Sequence, residues 1–194
     1  MEYFDQAAAN YNAASQRWPW SWLRGREARA LLELSGDVKG ADVLDLGSGS
    51  GYYSLLFLNM GARHVTAVDS SPNMIEALGN DVRIETVNTD VENLDLKKRF
   101  PVIVCAGLLE FVADARITLL VAREHADKGS AMVVLVPCDN FWGALYRLFH
   151  RCHGLDISLY RPTSFRALAE TTGWMIKEER RVWPFTYEFG MRAK

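Results

Sequence analysis

No run in this 194-residue sequence is apolar for long enough to cross a bilayer, which takes about 20 such residues. Cysteine is scarce. Cys105, Cys138 and Cys152 are scattered and odd in number, which argues against a disulfide framework and for reduced thiols in a cytoplasmic compartment. Neither charge sign dominates: 22 Lys and Arg stand against 24 Asp and Glu, a formal net charge of -2, so no global basic field draws in nucleic acid. Internal repeats and low-complexity tracts are lacking. Glu2 and Asp5, with no apolar core run, make the N-terminus unlike a signal peptide.

What is present is ordinary globular material, 49% apolar and 24% charged, enough for one domain over residues 1–194 with a core of its own. The chain is organised around Val43-Leu44-Asp45-Leu46-Gly47-Ser48-Gly49-Ser50-Gly51, followed by apolar residues from Tyr52 to Phe57. This reads as a buried strand, a glycine turn and a helix start. Bare glycine backbone lets a ligand lie close, and the amides opening the helix suit electronegative ligand groups. No Lys-Ser or Lys-Thr follows, which excludes a P-loop, and the Gly47-x-Gly49-x-Gly51 spacing differs from the G-x-G-x-x-G of dinucleotide sites.

With Asp45 two residues before the first glycine, the pattern resembles the first motif of the Rossmann-like (class I) S-adenosylmethionine (SAM) dependent methyltransferases, in their small-molecule branch. His64 to Asp69 reads as a second strand ending in an acid, 18 residues beyond Gly51, where a carboxylate can accept from both ribose hydroxyls of a nucleoside. Ser70-Ser71-Pro72 opens a helix, with Met74 and Ile75 placed to pack on an adenine. A third strand over 82–87 leads to Asp90 and Val91. By the resemblance these bind the adenine edge and face, although an Asp in such a loop also serves as a turn residue. Phe100 to Cys105 is a fourth, fully apolar strand. The loop Ala106-Gly107-Leu108-Leu109-Glu110-Phe111-Val112 resembles the family segment lining the methionine end of the cofactor. Glu110 caps the next helix, contacts substrate or does neither, and is assigned no catalytic role. The resemblance thus implies cofactor contacts from Asp45, Gly47, Ser48, Gly49 and Gly51, from Asp69, Ser70 and Met74, from Asp90 and Val91, and from Gly107 and Leu108.

Residues 1–35 form an N-terminal helical cap. Phe4, Ala8 and Tyr11 fall at helical spacing, and Tyr11-Asn12 resembles the Tyr-Asp of many small-molecule methyltransferases. The tryptophans of Trp18-Pro19-Trp20-Ser21-Trp22 either pack the following helix on the domain, wall an apolar pocket, or touch a membrane surface. A helix over 117–125 stopped by Gly129 and a fifth strand over 131–136 follow. Residues 139–162 are an insertion rich in aromatic residues, read as a lid or as an amphipathic helix packed on the body. Thr163 or Ser164 caps the next helix, and 174–182 and 185–191 are the last strands. The expected fold is a doubly wound α/β domain, a mostly parallel seven-stranded sheet with helices on both faces and an antiparallel C-terminal hairpin.

The expected activity is methyl transfer from SAM, giving S-adenosylhomocysteine (SAH), to a small apolar or aromatic acceptor. The donor is itself the electrophile, so the protein chiefly aligns, and a base is needed only for a protonated acceptor. The candidates for a base are His150, His153, Asp139 and Tyr11. No metal site is expected, although two histidines and a cysteine at 150–153 leave that reading open. The rivals are a SAM-binding protein without turnover, a nicotinamide-dependent reductase, and a cytosine methyltransferase using Cys138.

Overall fold

The computed structural model describes residues 20–194. Tyr11, Trp18 and Pro19 lie outside the described residues, and the N-terminal cap is described from Trp20 onward. The elements run α1 (Trp20–Ser35), β1 (Asp42–Leu46), α2 (Tyr52–Asn59), β2 (His64–Asp69), α3 (Pro72–Leu78), β3 (Ile84–Asn88), a short 3-10 turn (Val91–Asn93) and β4 (Phe100–Ala106). They continue through α4 (Ala115–Glu124), β5 (Ala126–Pro137), α5 (Phe141–Cys152), α6 (Pro162–Thr171), β6 (Trp174–Val182) and β7 (Thr186–Ala193).

The strands build one seven-stranded sheet in the order β3-β2-β1-β4-β5-β7-β6. The first five are parallel, and β7 lies antiparallel between β5 and β6. Alternate residues of each central strand feed opposite faces. Val43, Val102 and Val133 pack with Leu31, Leu34 and Phe57 on one side, and Leu44, Ile103 and Val134 pack with Leu119, Phe165 and Trp174 on the other. Both faces are therefore covered, which is why these strands read as continuous apolar runs. From β1 the chain builds outward through β2 and β3, then crosses back to β4. The strand order reverses between β1 and β4, and in open α/β sheets the crevice at such a switch point holds the ligand.

Several boundaries differ from the sequence expectation for identifiable reasons. β3 starts at Ile84 because Asp81 Oδ1 accepts from the Arg83 amide at 2.9 Å, forming a turn that leaves Val82 96% exposed. α4 does not run to Gly129. It ends at Glu124, where the His125 ring contacts the Val121 carbonyl at 2.8 Å and Nε2 accepts from the Leu96 amide at 3.1 Å. Gly129 instead lies within β5, at an irregularity in its pairing with β4. α6 begins at Pro162 with Arg161 before it. Neither Thr163 nor Ser164 caps it, since proline at the first position already sets the helical φ.

The 139–162 insertion is clasped at both ends. The Asp139 amide donates to the Tyr160 carbonyl at 2.8 Å, the Tyr160 amide to the Pro137 carbonyl at 3.0 Å, and the Tyr160 hydroxyl to the Leu109 carbonyl at 2.7 Å. Its helix α5 crosses the Cys138 carbonyl so closely that a Cβ on Gly143 would overlap that oxygen.

Candidate active site

The glycine turn and the end of β2 are bonded to each other. The amides of Gly47 and Ser48 both donate to the Val68 carbonyl at 2.9 Å. The Gly49 amide donates to Asp69 Oδ2 at 2.8 Å, and the Ser71 amide to Asp69 Oδ1 at 2.9 Å. Two backbone donors thus hold the Asp69 carboxylate beside the turn. Gly49 has φ +52°, and a Cβ there would meet nothing within 4 Å, so the space before it is open for a ligand. Gly51 is glycine for another reason: at φ +83° its Cβ would come within 2.6 Å of the Leu78 side chain, so the turn packs directly on α3. Asp45 lies behind the turn. Its Oδ2 accepts from the Ser54 hydroxyl at 2.7 Å, and burial, with a smaller contribution from Asp69, pushes its carboxyl up to about 6.

A cavity of about 680 Å³ opens at the switch point. Asp69, Ser70, Met74, Asp90 and Val91 line it, as do Gly47, Ser48, Gly49, Gly107 and Leu108. Phe111, Tyr146, Phe149, His150 and Phe185 also line it, with Leu23, Arg24, Glu27, Tyr53 and Thr186. Asp90 has two roles open to it: it lines the cavity, and its Oδ1 accepts from the Glu92 amide at 3.0 Å to cap the 3-10 turn. Five carboxyl side chains line the cavity (Glu27, Asp69, Asp90, Glu92 and Glu110) against one guanidinium, that of Arg24.

Asp45, Gly51 and Ile75 are not among the residues lining the cavity. Of the described candidate bases, His150 is in the wall, while Asp139 and His153 are not. Asp139 pairs with Arg161, and His153 Nδ1 is 2.8 Å from the Phe149 carbonyl. His150 is 7% exposed, ringed by Phe111, Tyr146 and Phe149, and its Nδ1 has no hydrogen-bond partner. Burial, and then the neighbouring His153, hold its pKa below the usual imidazole value. Cys138 is fully buried, and burial pushes its thiol up to about 11, so it is no activated nucleophile. Among the described residues no group of three or more His, Cys, Asp or Glu gathers to hold a metal ion. Trp22 is half exposed, with Arg26 over its ring, and does not wall the cavity.

Sequence reasoning passed over the buried acids Glu27 and Glu188 and left Glu110 without an assigned role. Glu27 is 8% exposed and its Oε1 accepts from the Thr186 hydroxyl at 3.0 Å; burial pushes it up to about 7. Its signal was an acid at helical spacing with Leu23, Leu31 and Leu34, on the face that should be apolar. Glu110 is 4% exposed with Oε2 unpartnered, and burial pushes it up to about 8. Glu188, beneath α1, is 1% exposed with both oxygens unpartnered, and burial pushes it up to about 9.

Known proteins share this architecture. The magnesium protoporphyrin IX methyltransferase of Synechocystis, solved with bound SAH, superposes with a TM-score of 0.77 over 100% of this chain and 97% of that one, at 14% identity. The malonyl-acyl-carrier protein O-methyltransferase of Acetivibrio thermocellus is 28% identical over 118 residues, covering 58% of this chain and 40% of the relative. A tRNA U34 carboxymethyltransferase of Shewanella baltica is 28% identical over 191 residues, covering 82% of this chain and 56% of the relative. The chain thus spans about half the length, or less, of these two sequence relatives. Residues 20–179, most of the sequence, match the family model described as a methyltransferase domain, and the chain belongs to that family.

Proposed function

We propose that this protein transfers a methyl group from SAM to a small acceptor with an apolar or aromatic body. The observation that carries the reading is the charge and shape of the cleft: a bare glycine floor, a carboxylate fixed beside it by two amides, and five acids against one guanidinium. That balance suits a ligand bearing a sulfonium and an ammonium. With Arg24 the one cation lining it among the described residues, the cleft offers little to hold the pyrophosphate of a nicotinamide cofactor.

In this reading Asp69 accepts from the ribose hydroxyls, and Asp90 from the adenine amine. Met74 and Val91, both buried in the wall, face the adenine ring. Gly47, Gly49, Gly107 and Leu108 border the methionine portion, whose carboxylate takes Arg24 as its partner, since no other Lys or Arg lines the cavity among the described residues. Bound there, SAM supplies an activated methyl group. The chain's own work is alignment and the exclusion of water, with the His150 imidazole in the cavity wall. One relative acts on tRNA, but a cavity this acidic offers little to a phosphate backbone.

Calorimetry with SAH tests the proposal, with the Asp69→Ala variant as its internal control. Tight SAH binding to the unmutated protein, weakened at least about tenfold by the substitution, is expected, because hydrogen bonds to a charged group are lost. Heat from NADH but none from SAH would end the reading. SAH binding without turnover on a broad acceptor panel would instead mark a cofactor-binding protein.

A further inference from the structure

Glu27 and Glu110 line the cavity and have no assigned partner among the cofactor's groups. Glu110 follows β4 in the loop through Gly107, and a Cβ on Gly107 would lie 3.7 Å from Glu110 Oε1. The carboxyl therefore sits beside the segment assigned to the methionine portion. It lines the cavity, and Oε2 lacks any hydrogen-bond partner. Burying a carboxyl without a partner is costly, and such groups in native folds call for an explanation. Glu27, in the same cavity, raises the Glu110 pKa further by its charge. The same cavity is lined by Tyr53, Phe111, Tyr146, Phe149 and Phe185. His150 Nδ1 is an unpartnered ring nitrogen in the lining of the same cavity. Glu110 Oε2 is an unmet hydrogen-bond acceptor, and aromatic side chains line the same cavity.

We propose that the methyl acceptor is a primary or secondary amine on an aromatic or other apolar body, and that Glu110 receives its ammonium, with Glu27 adding negative charge behind it. The inference rests on the methyltransferase reading and adds the acceptor chemistry to it. An ammonium satisfies the orphaned oxygen, and aromatic faces attract the same charge. Before it can react, the nitrogen must lose a proton. An N–H bond breaks, an O–H bond forms on Glu110, and the electron pair stays on nitrogen. The nitrogen then donates that pair to the methyl carbon as the carbon–sulfur bond breaks, its electrons going to sulfur. The proton on Glu110 returns to solvent. A carboxyl that burial has pushed up toward the range of amines is a better matched proton acceptor than an ordinary one.

The test uses the full chain saturated with SAH and matched probes titrated by calorimetry or NMR: phenethylamine, 2-phenylethanol and phenylacetate, then tryptamine, tryptophol and indole-3-acetate. The expected result is that each amine binds at least about tenfold more tightly than its alcohol, with the carboxylate weakest. In Glu110→Gln the amine preference should collapse to within about threefold, while SAH affinity holds within the same factor. Alcohols or carboxylates binding as well as amines, or a preference that survives the substitution, would overturn the proposal. If Glu110→Gln fails to fold, Glu27→Gln carries the test: partial loss of the preference supports the proposal, and an unchanged preference overturns it. Failure of the unmutated protein to bind SAH is a separate result, which removes the methyltransferase reading and this inference with it.

Discussion

Glu188 shows how much a single buried acid changes when the fold closes over it. In an unfolded chain its carboxyl titrates at the ordinary 4.5, and in the fold burial raises it to about 9, with the charge of Glu27 adding to the rise and Arg180 opposing it. Below pH 4.5 both states hold the proton and this contribution to stability is complete. Between 4.5 and 9 only the folded state keeps it, so unfolding releases a proton and stability falls by up to about 1.4 kcal/mol per pH unit. Glu27 and Glu110, raised to about 7 and about 8, act in the same direction up to their own values. The protein should therefore lose stability as pH rises through neutrality. Glu188→Gln, which stays neutral, should flatten the profile and stabilise the protein at pH 8 by ~2–4 kcal/mol, as read from urea unfolding at several pH values. An unaltered slope would show that Glu188 is already ionised in the fold.

At the scale of elements, the insertion is held to the sheet by its ends, by one close backbone crossing and by rings. Trp142 and Tyr146 of α5 reach Phe185 at centroid distances of 6.0 and 6.4 Å. Phe141, Leu145, Leu148 and Phe149 of the same helix are at least half exposed, so much of its apolar surface contributes nothing to anchoring. Anchoring then depends on the approach at Gly143. In Gly143→Ala the new methyl must push α5 off the Cys138 carbonyl, at a cost of about 1–3 kcal/mol. We expect faster limited proteolysis within 139–162 and weaker acceptor binding, with SAH affinity little altered because the glycine turn and Asp69 belong to other elements. Equal proteolysis rates would place the anchor elsewhere. The two readings of this segment available from sequence, lid and packed helix, are both partly realised, since α5 packs on the body and also walls the cavity.

For the molecule as a whole, the sheet is closed on its second face by α4 and α6. Phe165 of α6 is fully buried and stacks on Phe189 of β7 with centroids 4.2 Å apart, and Trp174 Nε1 donates to the Leu119 carbonyl at 3.0 Å. Phe165→Ala should cost about 3–5 kcal/mol in urea unfolding, a large part of the stability of a domain this size. A loss under 1 kcal/mol would mean that the surrounding core collapses to fill the space.

The parallel sheet, the glycine turn and the carboxylate at the tip of β2 are legible in the amino-acid order alone. Each is written in neighbouring residues: a continuous apolar run, closely spaced glycines, an acid at a strand end. The part of the cleft that holds Glu27 and Glu110 emerges only when the chain folds. Glu27 comes from α1, Glu110 from the loop after β4, and the Thr186 hydroxyl that bonds Glu27 is 159 residues away from it along the chain. No local pattern links groups so distant. Their altered ionisation exists only because the fold removes water from all of them at once, and charge in a dry, shared space depends on three-dimensional proximity that a linear chain does not display.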